Sequence, residues 1–108
     1  MDLEGVFRQV GKQLSADRVS AEYHPYSELK HTWRKRRSTL SFRISDYMDA
    51  SPEPVTEALA WYLLCRVYGK RCPEGMAERY LDHARSREMW APKKGVYVSR
   101  ARNLSFRP

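Results

Sequence analysis

Residues 55–68 are apolar on nearly every side of a helix, and this segment limits the folds that the chain can adopt. Ser51, Pro52 and Glu53 precede it, in the order typical of a helix start: a capping hydroxyl, a first-turn proline and an acid. Gly69 follows it as the expected stop. Because a helix that is apolar all round must be buried, the sequence predicts a central helix around which the other elements pack.

Strands are predicted where apolar and polar residues alternate. The alternation is strict over residues 39–45, which is the period-two pattern of a half-buried strand. Shorter alternations over residues 19–23 and 29–33 predict two more strands. The charged residues 34–37 are expected to form the connection between the second and third strands.

Two further helices complete the predicted fold. Residues 2–15 carry apolar residues at helical spacing, and a third helix is expected from Pro73 to Ala84. The order predicts an α+β fold with a small antiparallel or mixed sheet packed on the buried helix. We expect one domain over residues 1–91 and a basic tail over 92–108, with a short strand at Val96–Val98. The core contacts expected between the central helix, the third strand and the first helix involve Val55, Leu59, Leu63, Val67, Phe42 and Ile44.

Composition indicates the cellular compartment in which the protein is expected. The chain has 108 residues, a net charge of +7 and two cysteines, Cys65 and Cys72. Both cysteines are expected to be reduced, because a secreted scaffold of this size usually carries more of them. No apolar run approaches the roughly 20 residues of a membrane span, and the first residues lack the order of a signal peptide. A cytoplasmic protein without a membrane partner is therefore expected.

The order of elements from Arg18 to Ala84 resembles a family of peptidases. An alternating strand, a Ser-Asp turn, a proline-started apolar helix, a glycine and a second proline-started helix are similar to SprT-like and minimal gluzincin zinc peptidases of the archaeal type. In that family the buried helix carries His-Glu-x-x-His, which binds zinc and supplies a general base. The resemblance implies a zincin-like core.

The residues at the family's active positions argue against its chemistry in this chain. The resemblance aligns Trp61 and Cys65 with the two histidines, Tyr62 with the glutamate and Arg71 with the third ligand. Tryptophan has no lone pair for a metal, tyrosine with a pKa of about 10 is a poor base, and arginine stays charged. We therefore expect no metal, no cofactor and no enzymatic activity. The bulky side chains of Trp61 and Tyr62 could instead fill the space that the metal leaves.

Half of the 20 lysine and arginine residues fall into two short clusters with aromatic neighbours. The first cluster is Lys30, Trp33, Arg34, Lys35, Arg36 and Arg37. The second is Lys93, Lys94, Arg100, Arg102 and Arg107, with Tyr97 and Phe106 between them. Arginine combined with aromatic residues suits RNA, where cations meet phosphates and rings stack on bases.

Two classes of function remain open at this point. The first is binding of nucleic acid, RNA rather than DNA, in a ribosome or another ribonucleoprotein, with Trp33, Tyr97 and Phe106 as a stacking platform. The second is a pseudo-peptidase that binds a protein through the old substrate cleft or a sheet edge. A third interpretation is that the two basic clusters have no binding function and are only a solvated hairpin tip and a loose tail. No two of the histidines His24, His31 and His83 have metal-ligand spacing on one element, so each is expected to be structural or to lie on the surface.

Overall fold

Over the residues that the structure describes, the chain forms a helix, three strands and three further helices, and the α+β class predicted from the sequence is confirmed. A computed structural model describes residues 2–16, 18–93, 95 and 96. The elements in chain order are α1 (Leu3–Gln13), β1 (Arg18–His24), β2 (His31–Arg36), β3 (Thr39–Ser45), α2 (Glu53–Val67), α3 (Met76–Ala84) and α4 (Arg87–Trp90). Short 3₁₀ turns follow β3 at Asp46–Met48 and α4 at Ala91–Lys93.

The three strands form a mixed sheet in the order β1-β3-β2, which is one of the two arrangements that the sequence left open. Strands β2 and β3 form an antiparallel hairpin, and β1 lies parallel to β3 on its other side. The expected connection at residues 34–37 is wrong: β2 runs through Arg36, and Arg37 and Ser38 alone make the turn. Arg37 has a φ of 50°, a left-handed conformation that lets two residues reverse the chain.

One face of the sheet packs against the helices and contains the core. Leu40, Phe42 and Ile44 of β3 are at most 1 % exposed. They share one apolar cluster with buried residues of α1 and α2. The predicted core is confirmed, because Val55, Leu59, Leu63, Phe42 and Ile44 lie in this cluster and Val67 packs against it.

The ends of the central helix differ in part from the sequence prediction. Gly69 has a φ of 63°, the left-handed conformation expected of a residue that stops a helix. Ser51, however, is not the cap: Pro52 occupies that position and no side chain caps the helix. The Ser51 hydroxyl instead lies 3.2 Å from Nε2 of His83, so it links the start of α2 to α3.

The region after α3 also departs from the prediction. Gly95 and Val96 are helical, so the strand expected at Val96–Val98 does not begin where it was placed. The alternation Val-Tyr-Val is too short to specify a strand directly after a helical turn. Tyr97 and Val98 lie outside the described residues. Within the part of the chain that the structure describes, the helices are too short or too polar to cross a membrane.

Candidate nucleic-acid interface

The sheet face that points away from the helices carries a regular array of polar side chains. We call this surface the outer face. Because side chains alternate along a strand, strand register places nine residues on it in three rows. The rows are Arg36–Thr39–Arg18 beside the hairpin turn, Arg34–Ser41–Ser20 in the middle, and Thr32–Arg43–Glu22 at the far end. Seven of these residues line an open depression, which Glu4 of α1 and Trp33 also line. Arg18 lines a second depression, beside Arg8, Gly11 and Lys12 of α1.

The positive charge of the outer face is concentrated beside the hairpin turn. Arg18, Arg34 and Arg36 are exposed, and no acidic side chain among the described residues pairs with them. At the far end, Nε of Arg43 lies 3.5 Å from Oε1 of Glu22. Both partners are more than half exposed, so this pair contributes little stability but cancels the local charge. The field is therefore strongest between the turn and the middle row.

Hydroxyl groups form the floor between the arginines. The Ser20 and Ser41 oxygens lie 3.2 Å apart across β1 and β3. At the far end the Thr32 hydroxyl lies 2.6 Å from that of Tyr26. The Ser20 and Ser41 hydroxyls retain capacity for a further hydrogen bond, so the floor can donate to or accept from a ligand that the arginines hold in place.

The first basic cluster of the sequence is divided between the two faces of the sheet. Arg34 and Arg36 lie on the outer face, whereas Trp33 and Lys35 lie opposite Phe42 and Leu40 on the inner face. Trp33 is nevertheless 47 % exposed, because it projects from an edge strand. The Nζ atom of Lys35 lies 5.8 Å from the ring of Tyr68, and Lys30, before β2, lies 5.0 Å from the ring of Tyr26. Arg37 is exposed in the turn.

Of the second basic cluster, the structure describes Lys93 alone. Lys93 forms an ion pair with Asp49, in the turn after β3. A seven-residue strand is about 20 Å long, so Lys93 and the hairpin turn are at opposite ends of β3. Lys94, Tyr97, Arg100, Arg102, Phe106 and Arg107 lie outside the described residues, and with them most of the proposed stacking platform.

The positions aligned with the zinc site of the resembling family lie on or just after α2. Trp61 and Tyr62 are both partly buried, and both pack against the core cluster. Cys65 is 2 % exposed, and burial, followed by the neighbouring Cys72 thiol, raises the pKa of Cys65. Tyr62 accepts a hydrogen bond of 3.0 Å from Nη1 of Arg66, and Arg71 is exposed. No three metal-ligating side chains are grouped together within the described residues.

Because Trp61 keeps contact with water, its removal should cost less than that of a buried tryptophan. We expect Trp61→Ala to lower the free energy of unfolding by about 2 kcal/mol, against about 3–5 kcal/mol for a fully buried ring. Urea denaturation followed by circular dichroism measures the difference. A loss of the full buried-ring value would show that Trp61 is enclosed in solution.

A hydrogen-bond chain beside α2 is the feature that the sequence did not predict. The backbone N–H of Ser45 donates to Nδ1 of His31 at 3.2 Å, so the neutral ring must donate from Nε2 to the hydroxyl of Tyr80, 2.6 Å away. Burial lowers the pKa of His31 to about 4 and raises that of Tyr80 to about 12, the latter with a smaller effect from Tyr62. A neutral His31 thus joins β2 to α3. The inward strand position of His31 was the available signal.

Comparison with known proteins adds no family to this description: no protein-family model, no curated protein and no solved structure matches the chain.

Proposed function

We propose that this protein is a non-catalytic domain that binds nucleic acid, RNA rather than DNA, as a cytoplasmic component of a ribosome or another ribonucleoprotein particle. The observation that carries the proposal is the outer face, where Arg18, Arg34 and Arg36 are exposed and unpaired within the described residues. An exposed group of like charges is electrostatically unfavourable by itself, and a polyanion relieves that repulsion.

The spacing of the arginines supports phosphate contacts. Arg34 and Arg36 are two residues apart on β2, which separates their Cα atoms by about 7 Å. Arg36 and Arg18 are at opposite edges of the sheet, about 10 Å apart. The interval along β2 lets the guanidinium groups of Arg34 and Arg36 reach successive phosphates of one backbone, and Arg18 can reach a phosphate at the other edge of the sheet. Contacts of this kind supply affinity and orientation but little sequence information.

The proposal extends to the origin of the fold. We propose that the core is a degenerate zincin-like unit in which α2 has kept its place and lost its metal chemistry. The order α1, three strands, α2 and α3 supports it. So does the way in which His31, Tyr80 and Tyr62 occupy the space beside α2: His31 is bonded to Tyr80, whose ring centroid lies 5.6 Å from that of Tyr62.

The double variant Arg34→Ala/Arg36→Ala tests the proposed function. We expect both changes to be tolerated by the fold, because exposed surface substitutions usually shift stability by less than about 0.5 kcal/mol. Affinity for RNA should fall, and the slope of log K against log salt should become shallower by about 2, roughly one unit per lost phosphate contact. Fluorescence anisotropy with labelled RNA over a salt series measures both.

A matched control removes two positive charges from elsewhere on the chain. Arg79 and Arg85 are exposed on α3 and at its end, away from the outer face. Arg79→Ala/Arg85→Ala should retain the wild-type salt slope. If both double variants reduce binding equally, net charge and not the outer face is responsible. If the wild type binds no RNA at low salt, the proposed function is wrong.

The protein-binding alternative has one observation in its favour. Strand β2 lies at the edge of the sheet and presents Trp33, which is 47 % exposed. An extended peptide could add a strand at this edge and cover the indole. Such binding would depend weakly on salt, unlike the binding of a polyanion. Trp33→Ala would abolish peptide binding in that case, whereas it should leave RNA binding through the outer face nearly unchanged.

A further inference from the structure

We propose that the outer face binds double-helical RNA across its minor groove, with the arginines at the two sheet edges on the two backbones. The inference rests on the proposed function and specifies the form of nucleic acid that this surface takes. It depends on three features: the absence of rings from the nine positions, the placement of cations at both edges, and the hydroxyl floor.

The composition of the outer face disfavours single strands. None of its nine positions holds an aromatic residue, and His24, one position beyond the rows on β1, packs against Tyr26 with ring centroids 4.5 Å apart. Proteins that bind single strands gain affinity from bases that stack on aromatic side chains. Trp33, the exposed indole of β2, lies on the other face of the sheet. Unpaired bases would therefore find no stacking partner among the nine positions, and the nearest rings, His24 and Tyr26, already pack against each other.

The distribution of charge across the sheet suits two backbones. In the row beside the turn, Arg36 and Arg18 flank Thr39 at the two edges, about 10 Å apart. In the middle row, Arg34 faces the hydroxyls of Ser41 and Ser20. A single backbone would engage one edge and leave the cation at the other edge without a phosphate. A duplex groove places phosphates on both sides and sugar and base edges between them.

The hydroxyl floor favours RNA over DNA. The minor groove of an A-form helix is wide and shallow and displays 2′-hydroxyl groups, and proteins recognise it through its shape and through these groups and phosphates. The Ser20 and Ser41 hydroxyls lie 3.2 Å apart at the centre of the face, where they can exchange hydrogen bonds with 2′-hydroxyls. A DNA duplex offers no such partner.

The chain's own tail does not suit the outer face as an alternative occupant. Residues 89–108 contain no acidic residue, whereas Lys93, Lys94, Arg100, Arg102 and Arg107 are basic. A tail of the same sign as Arg18, Arg34 and Arg36 would add to the repulsion. Charge complementarity therefore requires an anionic occupant.

The experiment compares three probes on the full chain: an RNA duplex of roughly 16 base pairs, the DNA duplex of the same sequence, and one RNA strand alone. Fluorescence anisotropy at one salt concentration gives three affinities. We expect the RNA duplex to bind at least about tenfold more tightly than the other two probes. Ser20→Ala/Ser41→Ala should lose roughly tenfold in affinity for the RNA duplex while its affinity for the DNA duplex stays the same. Circular dichroism melting checks that the variant is folded.

The possible outcomes distinguish the minor-groove inference, the role of the hydroxyl floor and the proposed function from one another. Tighter binding of the single strand, or equal binding of the DNA duplex, would overturn the minor-groove inference while the proposed nucleic-acid function stands. A double serine variant that keeps its preference for the RNA duplex would overturn the role of the hydroxyl floor. If none of the probes binds at low salt, the proposed function fails, and the inference fails with it.

Discussion

Phe7→Ala is expected to lower the free energy of unfolding by about 4 kcal/mol, a large share of the stability of a domain of this size. The Phe7 side chain has no exposed surface, and its ring centroid lies 5.1 Å from that of Phe42 on β3. It therefore connects α1 to the inner face of the sheet. Truncation removes the buried ring and leaves a cavity that the helix and sheet can only partly close. Urea denaturation at neutral pH, followed by circular dichroism, gives the value.

The matched control lies on the same helix. Gln9 is exposed on α1, so Gln9→Ala should change stability by less than about 0.5 kcal/mol. Phe7→Leu should fall between the two, because it keeps part of the apolar volume. A loss of less than about 1 kcal/mol for Phe7→Ala would contradict the packing of α1 on β3.

The core was predictable because its signal is periodic and local. In β3, Leu40, Phe42 and Ile44 alternate with polar residues, and this alone identifies both the strand and its buried face. In α2 the apolar residues surround the helix, which predicts burial, and Gly69 predicts the end. These statements need no knowledge of partners, since periodicity reports which side of an element faces water.

The boundary of β2 was missed because the residues at its end do not alternate between apolar and polar. Residues Arg34–Arg36 continue β2, but an edge strand with both faces partly exposed can carry a charged run that resembles a loop. The parallel pairing of β1 with β3 was not derivable either. Alternation specifies which face of a strand is buried and says nothing about the direction of its neighbour.

The sequence identified some of the residues of the candidate interface, but it did not predict how they are arranged in space. The sequence singled out Arg34 and Arg36 but grouped them with Trp33 and Lys35, which strand alternation places on the opposite face. It missed Arg18, because that cation is far away in sequence and becomes a neighbour through the pairing of β1 with β3. Long-range register, which single-sequence patterns do not contain, assembles the outer face.

The contact between His31 and Tyr80 illustrates the same limit, and it leads to a prediction for pH. We expect the stability of the protein to fall by up to about 3 kcal/mol from this group as the pH is lowered from about 6.5 to about 4. The pKa of His31 is about 4 in the folded chain, because burial disfavours the charged ring, and near 6.5 in the unfolded chain. Between these values only the unfolded chain takes up the proton, so acid favours unfolding. The contribution is complete above about pH 6.5 and lost below about pH 4.

Carboxylates also titrate over this range, so the test subtracts their effect with the variant His31→Gln, which keeps a hydrogen-bonding side chain and has no proton to gain. Urea denaturation of both proteins at intervals from pH 7 to pH 4 gives two curves of stability. Their difference should change by about 1.4 kcal/mol for each pH unit in the middle of the range. Tyr80→Phe, which removes the acceptor of the Nε2 proton, should destabilise the chain at neutral pH by about 1 kcal/mol. Parallel curves for the wild type and His31→Gln would show that His31 takes up its proton in the folded chain as readily as in the unfolded chain. The bond from the Ser45 N–H to Nδ1 would then not hold the ring neutral in solution.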